Sequence, residues 1–309
     1  MVREAADRIR PLARRTPVMT SRSIDARSGC AVFFKCENLQ RGGAFKIRGA
    51  ANLVLSIPKE DLPRGVVAFS SGNHAQATAI AAKHVGAPAT IVMPADAPRS
   101  KMEPTRDLGA RIVTYDRFHD DREAIASAVL NDTKGTLVPP FDHPLIIAGQ
   151  GTAALELLDE QPGLDALVVC VGGGGLISGC STIAKSINPA IRVFGVEPEL
   201  ANDTWLSFAK GERVTIPPSD TIADGLRSPC PGKLTFPVIQ RNVEQMILVS
   251  EAEIRATMRF MLERMKILVE PSGAVAAAAV LFRKLPAGIG RVGVIVSGGN
   301  VDLDFLQTC

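Results

Sequence analysis

The sequence predicts an α/β protein of two domains, each an open, mostly parallel sheet flanked by helices. Three observations predict it. Short apolar runs rich in Val and Ile alternate with stretches of helical length. The runs keep the unbroken hydrophobicity of strands buried on both faces rather than a period-two pattern. Three of them also end directly in a polar or glycine-rich segment, as do parallel strands whose carboxyl ends hold a ligand.

In chain order, the first set places strands at 66–69, 89–93, 111–115 and 136–138, with helices between them at 75–84, 100–108 and 121–130. The second set places strands at 166–171, 192–196 and 292–296, with a helix starting near Leu176. No internal repeat, low-complexity tract or long linker separates the two sets.

A length of 309 residues accommodates two modest domains, and 46% hydrophobic with 22% charged residues describes an ordinary globular chain. The net charge of +3 is scattered, and one Trp and one Tyr leave little surface for stacking bases, so a nucleic-acid partner is not expected. The first residues carry acids and no apolar core, unlike a secretion signal, and the small-apolar stretch 273–282 is too short to span a bilayer. The six cysteines show no metal-ligand spacing. Together these features read as a reduced, cytoplasmic protein with no membrane partner.

Chemistry is concentrated at four places. Lys46 sits beside Phe45, between a glycine-rich turn and a small-residue helix start; partial desolvation there lowers an amine's pKa and frees it to attack a carbonyl. Gly172, Gly173, Gly174 and Gly175 lie between a strand and a helix, where backbone N–H groups and the helix dipole converge on a phosphate. A dinucleotide fold is the rival for these glycines, with Glu197 in the place of a ribose-binding acid. However, Ile177 or Ser178 breaks the third glycine of the G-x-G-x-x-G fingerprint in either register, and Lys46 is left without a role. Ser70-Ser71-Gly72-Asn73-His74 opens a helix with hydroxyls and free N–H groups suited to a carboxylate. Ser297, at the end of the 292–296 strand, offers a hydroxyl to a ring nitrogen.

Six blocks in order carry a resemblance over nearly the whole chain: 35–40, Ala44-Phe45-Lys46-Ile47-Arg48-Gly49-Ala50, 71–77, Ala148-Gly149-Gln150-Gly151-Thr152, Val269-Glu270-Pro271-Ser272-Gly273, and Ser297-Gly298-Gly299-Asn300-Val301-Asp302. The sequence is similar to the fold-type II pyridoxal-phosphate enzymes (tryptophan synthase β-subunit-like), in the group of serine racemase, serine/threonine dehydratase and 3-hydroxyaspartate dehydratase. The resemblance implies a homodimer, with a large cofactor-binding domain at 1–63 and 144–309 and a small mobile domain at 64–143. It implies that Lys46 forms a Schiff base with pyridoxal 5'-phosphate and that Asn73 bonds its phenolic oxygen. Gly172 to Gly175 with Leu176 would hold the phosphate and Ser297 would meet the ring nitrogen, while Phe45, Gly225, Glu270 and Gly298 would contact the cofactor. Ser70, Ser71, Gly72, Asn73 and His74 would hold the substrate carboxylate.

The resemblance further implies a Mg²⁺ site (or Ca²⁺ or Mn²⁺) formed by the carboxylates of Glu197 and Asp203 and the carbonyl of Ala201; hard oxygen ligands suit such ions. The implied reaction is β-elimination from a hydroxy amino acid, giving a 2-oxo acid and ammonia. Ser71 would stand opposite Lys46 and open racemisation as an alternative. A non-catalytic binding module on the same fold has no use for the Lys46 amine. Arg227 either pairs with a distal substrate carboxylate or points away from the site. Ala44 departs from the serine found in many members.

Overall fold

The computed structural model describes residues 1–70, 72–97, 99–116 and 119–307. Among these, ten strands form two sheets: β1 (Val18–Met19), β2 (Ala31–Cys36), β3 (Val66–Phe69), β4 (Ala89–Pro94), β5 (Arg111–Tyr115), β6 (Thr136–Leu137), β7 (Ala166–Cys170), β8 (Arg192–Pro198), β9 (Gln245–Val249) and β10 (Arg291–Val296). The larger sheet runs β1-β2-β10-β7-β8-β9 and the smaller one β5-β4-β3-β6. Every pairing is parallel except β1 with β2.

The inner strands are buried on both faces, as unbroken apolar runs require: β4 and β7 are buried along their whole length. β5, at the edge of its sheet, alternates between exposed and half-buried residues. All seven expected strands are present. β8 continues past 196 to Pro198, which brings Glu197 inside the sheet, opposite Leu248 of β9. Helices Asn73–Val85, Arg99–Asp107 and Arg122–Thr133 occupy the expected intervals with shifted ends. The sequence reading did not anticipate β1, β2 or β9.

One large apolar cluster fills the larger sheet, from Val32 on β2 through Val168 and Val294 to Val249 on β9. A second joins Ile47, Ala50 and Val54 of the Lys46–Val54 helix to Ala75, Val66 and Ile91 of the smaller sheet's layer. The helix that begins at Lys46 therefore packs in both directions. Its other face lies against the Pro144–Glu160 helix at backbone distance; a Cβ on Gly149 would collide with the carbonyl of Arg48. The Pro144–Glu160 helix in turn lies on the Gly175–Ile187 helix, where a Cβ on Gly179 would strike the carbonyl of Ile147. No helix among the described residues is long and apolar enough to cross a membrane.

Candidate active site

Three adjacent parallel strands, β2, β10 and β7, end at the same edge of the larger sheet. The segments that follow them carry Lys46, Ser297 and the glycine turn, so strand order brings together residues separated by up to 251 positions. β3 and β6 of the smaller sheet bring Ser70, Asn73, Pro140 and Phe141 to the same cavity.

Lys46 begins its helix directly after Phe45. The turn before it passes through Gly42 and Gly43, both at φ of 73°. Ala44 and Gly298 form an antiparallel bridge, and the Phe45 N–H donates to the Ser297 carbonyl at 3.0 Å. The lysine loop is thus stitched to the end of β10. Lys46 Nζ donates to the Pro140 carbonyl at 2.8 Å and lies 5.2 Å from the Phe45 ring centre. Burial lowers its pKa from 10.5 to about 8, against opposing effects of Cys170 and Glu270.

The glycine turn lines the wall between β7 and the Gly175–Ile187 helix. The N–H groups of Gly172, Gly173, Gly174, Gly175 and Leu176 have no acceptor among the described residues. Gly174 has φ of 90°, and a Cβ on Gly173 would overlap the Phe141 ring. Glycine is needed here for the turn, for the packing of Phe141, and to leave the donors facing the cavity. Such a cradle fits a phosphate.

Ser297 is 2% exposed, lines the cavity and donates to the Ser272 carbonyl at 3.3 Å. Asn73 Nδ2 donates to Glu270 Oε1 at 2.7 Å. Gly225 lines the opposite wall, its N–H donating to Ser272 Oγ at 3.0 Å. Phe45, Leu176 and Glu270 also face the cavity. Gly298 backs the site instead: a Cβ there would run into the Glu270 carboxylate.

Ser70 Oγ accepts the Gly72 N–H at 3.2 Å. Ser71 lies outside the described residues. His74 is 2% exposed and its Nε2–H donates to the Val138 carbonyl at 2.8 Å. Burial, helped by the nearby Lys46 charge, lowers its pKa to about 3, so the ring is neutral. With its Nε2 proton committed to Val138, the ring offers no cation to a substrate. The N–H groups of Asn73 and His74, at the start of a 13-residue helix, have no acceptor among the described residues. Any anion held here therefore meets backbone.

Arg227 lines the cavity while its Nε and Nη2 both donate to the Thr221 carbonyl, at 2.9 and 2.6 Å. Thr221 is itself held by Glu251, which accepts its hydroxyl at 2.6 Å and the Ile222 N–H at 2.8 Å. The guanidinium is therefore pinned at the cavity rather than swinging free.

Glu197 and Asp203 are both 0% exposed. Glu197 accepts the N–H groups of Thr204 and Trp205, at 3.1 and 2.7 Å, whereas neither oxygen of Asp203 has a partner. Burial raises the pKa of both groups, and the Asp203 charge raises Glu197 further. Two buried carboxylates, one with orphaned oxygens, fit a divalent cation, and Ala201 lies buried between them in sequence. Among the described residues no cluster of three or more Asp, Glu, His or Cys side chains is placed to hold a metal. The burial of Glu197 also removes the basis for reading it as a ribose-binding acid.

Several cavity residues went unanticipated in sequence, including Pro140, Phe141, Cys170 and Ser272. Pro140 and Phe141 follow β6, so the strand-end rule that marked the other segments could have marked them.

A family model described as "Pyridoxal-phosphate dependent enzyme" matches residues 9–298. The chain is 49% identical over 301 residues to the L-threo-3-hydroxyaspartate ammonia-lyase of Pseudomonas sp., covering 97% of this chain and 94% of the relative. It is 46% identical to the serine racemase of Schizosaccharomyces pombe, covering 98% and 94% respectively. The solved structure of maize serine racemase superposes with a TM-score of 0.96 at 46% identity, covering 99% of this chain and 94% of that one. With Lys46 facing an N–H-lined glycine turn across one cavity, and with similarity of this extent, the chain belongs to the family of pyridoxal-phosphate dependent enzymes.

Proposed function

We propose that this chain is an ammonia-lyase that expels the β-hydroxyl of a hydroxy amino acid and releases a 2-oxo acid and ammonia, with 3-hydroxyaspartate preferred over serine and threonine. The observation that carries the reading is the shared cavity of Lys46, the glycine turn, the open start of the Asn73–Val85 helix and the pinned Arg227. Similarity to a 3-hydroxyaspartate ammonia-lyase supports it.

Bound pyridoxal phosphate supplies an electron sink for charge developing at the substrate Cα. Gly172 to Gly175 and Leu176 would hold its phosphate, Asn73 would donate to its phenolic oxygen, and Ser297 would meet its ring nitrogen. Phe45, Gly225 and Glu270, which line the same cavity, would pack around it. The Ser297 hydroxyl would offer that nitrogen a hydrogen bond and not a full charge. Ser70, Gly72, Asn73 and His74 hold the substrate α-carboxylate, the last two through backbone N–H. Lys46 Nζ takes the Cα proton, burial keeping a useful fraction of that amine neutral near pH 7, and the ammonium so formed supplies the proton with which the β-hydroxyl leaves as water. The segment 64–143 supplies Ser70, Asn73 and Phe141 while the remainder supplies Lys46 and the glycines, an arrangement that suits closure of a small domain over the substrate.

Arg227 pairs with the distal carboxylate of hydroxyaspartate. Arg227→Ala is expected to lower kcat/KM on hydroxyaspartate by about 100-fold and on threonine by less than about threefold. The test is a panel of both serine and threonine enantiomers and all hydroxyaspartate isomers; equal losses on the two substrate types would reject the role. The same panel, with chiral analysis of the remaining substrate, reads a second activity, racemisation. Likeness to serine racemases favours that second reading, with Ser71 returning the proton to the other face.

Glu197, Asp203 and the Ala201 carbonyl bind Mg²⁺ or Ca²⁺. Chelation is expected to lower the thermal midpoint by a few degrees, and either ion to restore it. Glu197→Gln combined with Asp203→Asn should abolish the response, because the buried like charges that the ion neutralises are gone. A wild-type midpoint indifferent to chelator and ion would remove the site.

A further inference from the structure

We propose that Asn300 is a positioning residue that fixes which end of the Asn73 amide faces the cavity. The inference rests on the reading that Asn73 donates a hydrogen bond to the cofactor's phenolic oxygen. Asn300 Nδ2 donates to the Gly42 carbonyl and to Asn73 Oδ1, each at 2.8 Å. Asn73 Nδ2 then donates to Glu270 Oε1 at 2.7 Å. A carbonyl and a carboxylate can only accept, so both ends of this chain dictate its polarity. Asn300 spends both amide hydrogens, Asn73 must present its oxygen to Asn300, and its N–H₂ is left for Glu270 and the cavity it lines.

The surrounding backbone holds Asn300 in this role. Gly43 has φ of 73°, and a Cβ there would occupy the space of the Asn300 amide. The Gly299 N–H donates to the Gly43 carbonyl at 2.9 Å. Asn300 thus joins the lysine loop to the Asn73–Val85 helix, and it supplies orientation rather than contact with the reacting atoms. An Asn73 turned the other way would offer a carbonyl to a phenolic oxygen and oppose its ionisation.

The experiment uses the holoenzyme and three variants, Asn73→Ala, Asn300→Asp and the double variant. Readouts are the pyridoxal phosphate dissociation constant, the pH midpoint of the bound cofactor's visible absorbance, and the thermal midpoint. Aspartate at 300 has no hydrogen to donate at neutral pH, so it competes with Glu270 for the Asn73 N–H₂ and the amide's orientation toward the cavity is no longer fixed. Asn300→Asp is expected to move the absorbance midpoint to higher pH and weaken cofactor binding about tenfold. Asn73→Ala is expected to do the same, and the double variant no more than Asn73→Ala alone. Additive losses, or a lowered thermal midpoint with an unmoved absorbance midpoint, would make Asn300 merely structural and overturn the proposal. An absorbance midpoint unchanged in Asn73→Ala would instead overturn the reading of Asn73. Should Asn300→Asp fail to fold, Asn300→Ala removes both donors without adding charge and is held to the same outcomes.

Discussion

Lys46→Ala will fold, bind pyridoxal phosphate without the absorbance of a covalently attached cofactor, and lose at least about 10³-fold in turnover. No other described amine lines the cavity, and the Arg227 guanidinium is too weak a nucleophile and base to replace it. Burial lowers the pKa of the wild-type amine to about 8. At pH 7 about one amine in ten is then neutral, against fewer than about one in a thousand for an ordinary lysine. Attachment of cofactor to the apoprotein should accordingly accelerate as pH rises through about 8 and level off above it. The sign follows from the group: below that pH Nζ is an ammonium with no lone pair. A Lys46→Ala protein that keeps the wild-type spectrum and rate would remove the lysine from the reaction.

Arg48→Met is expected to cost about 3–5 kcal/mol of stability, lowering the thermal midpoint by on the order of 10 °C. Arg48 is 0% exposed and spends its guanidinium on two carboxylates. It bonds Glu37 through Nε and Nη2 at 2.7 and 2.8 Å, and Glu156 through Nη1 and Nη2 at 2.7 and 2.8 Å. Thr152 Oγ1 accepts from Nη1 at 3.0 Å, and Lys35 Nζ reaches Glu156 at 2.7 Å. Two acids and two bases balance. Removing Arg48 leaves the buried Glu37 and the half-buried Glu156 facing one ammonium, with most of their solvation already lost.

The pH dependence of that loss has a definite sign. Burial alone would raise the Glu156 pKa, but Arg48 and Lys35 hold it below the usual 4.5. In the wild type this contribution is present above pH 4.5 and lost as pH falls through the lowered value. In the variant, burial without Arg48 favours the protonated form of Glu156, so acidification relieves it. The stability gap between the two proteins should therefore narrow below pH 4.5; a constant gap in chemical denaturation at pH 4 and pH 7 would show that packing dominates.

This network also shows why part of the fold escaped the sequence reading. β2 reads Ala-Val-Phe-Phe-Lys-Cys, and a lysine inside an apolar run argues against a buried strand. Lys35 is buried nonetheless, because Glu156 and the Thr16 carbonyl receive its ammonium. Its partner lies 121 positions along the chain (156 − 35), and nothing local announces the pairing. β9 is a five-residue run, Gln-Met-Ile-Leu-Val, that follows a short helix without a turn signal and was not singled out in sequence. By contrast, β3, β7 and β10 were legible because a strand-length apolar run stood directly before a segment whose composition has a chemical use.

The cavity was legible in the same uneven way. Lys46, Ser297 and the four glycines announce themselves by residue type and context. Phe141 does not, although its ring rests where any side chain on Gly173 would go. Asn300 stood in a block that carried the resemblance, yet its orienting effect on Asn73 depends on the Gly42 carbonyl and on Glu270 at once.

By itself the sequence determined the fold class and marked out the lysine and the glycine turn, because these follow from local periodicity and from residues whose conformational freedom or reactivity is intrinsic. Only the tertiary structure decided how the pieces act on one another: the lowered basicity of Lys46, the neutral His74 ring, the pinning of Arg227 and the orphaned oxygens of Asp203. Each depends on burial and on partners from distant strands, and desolvation exists only once the chain has closed around the group.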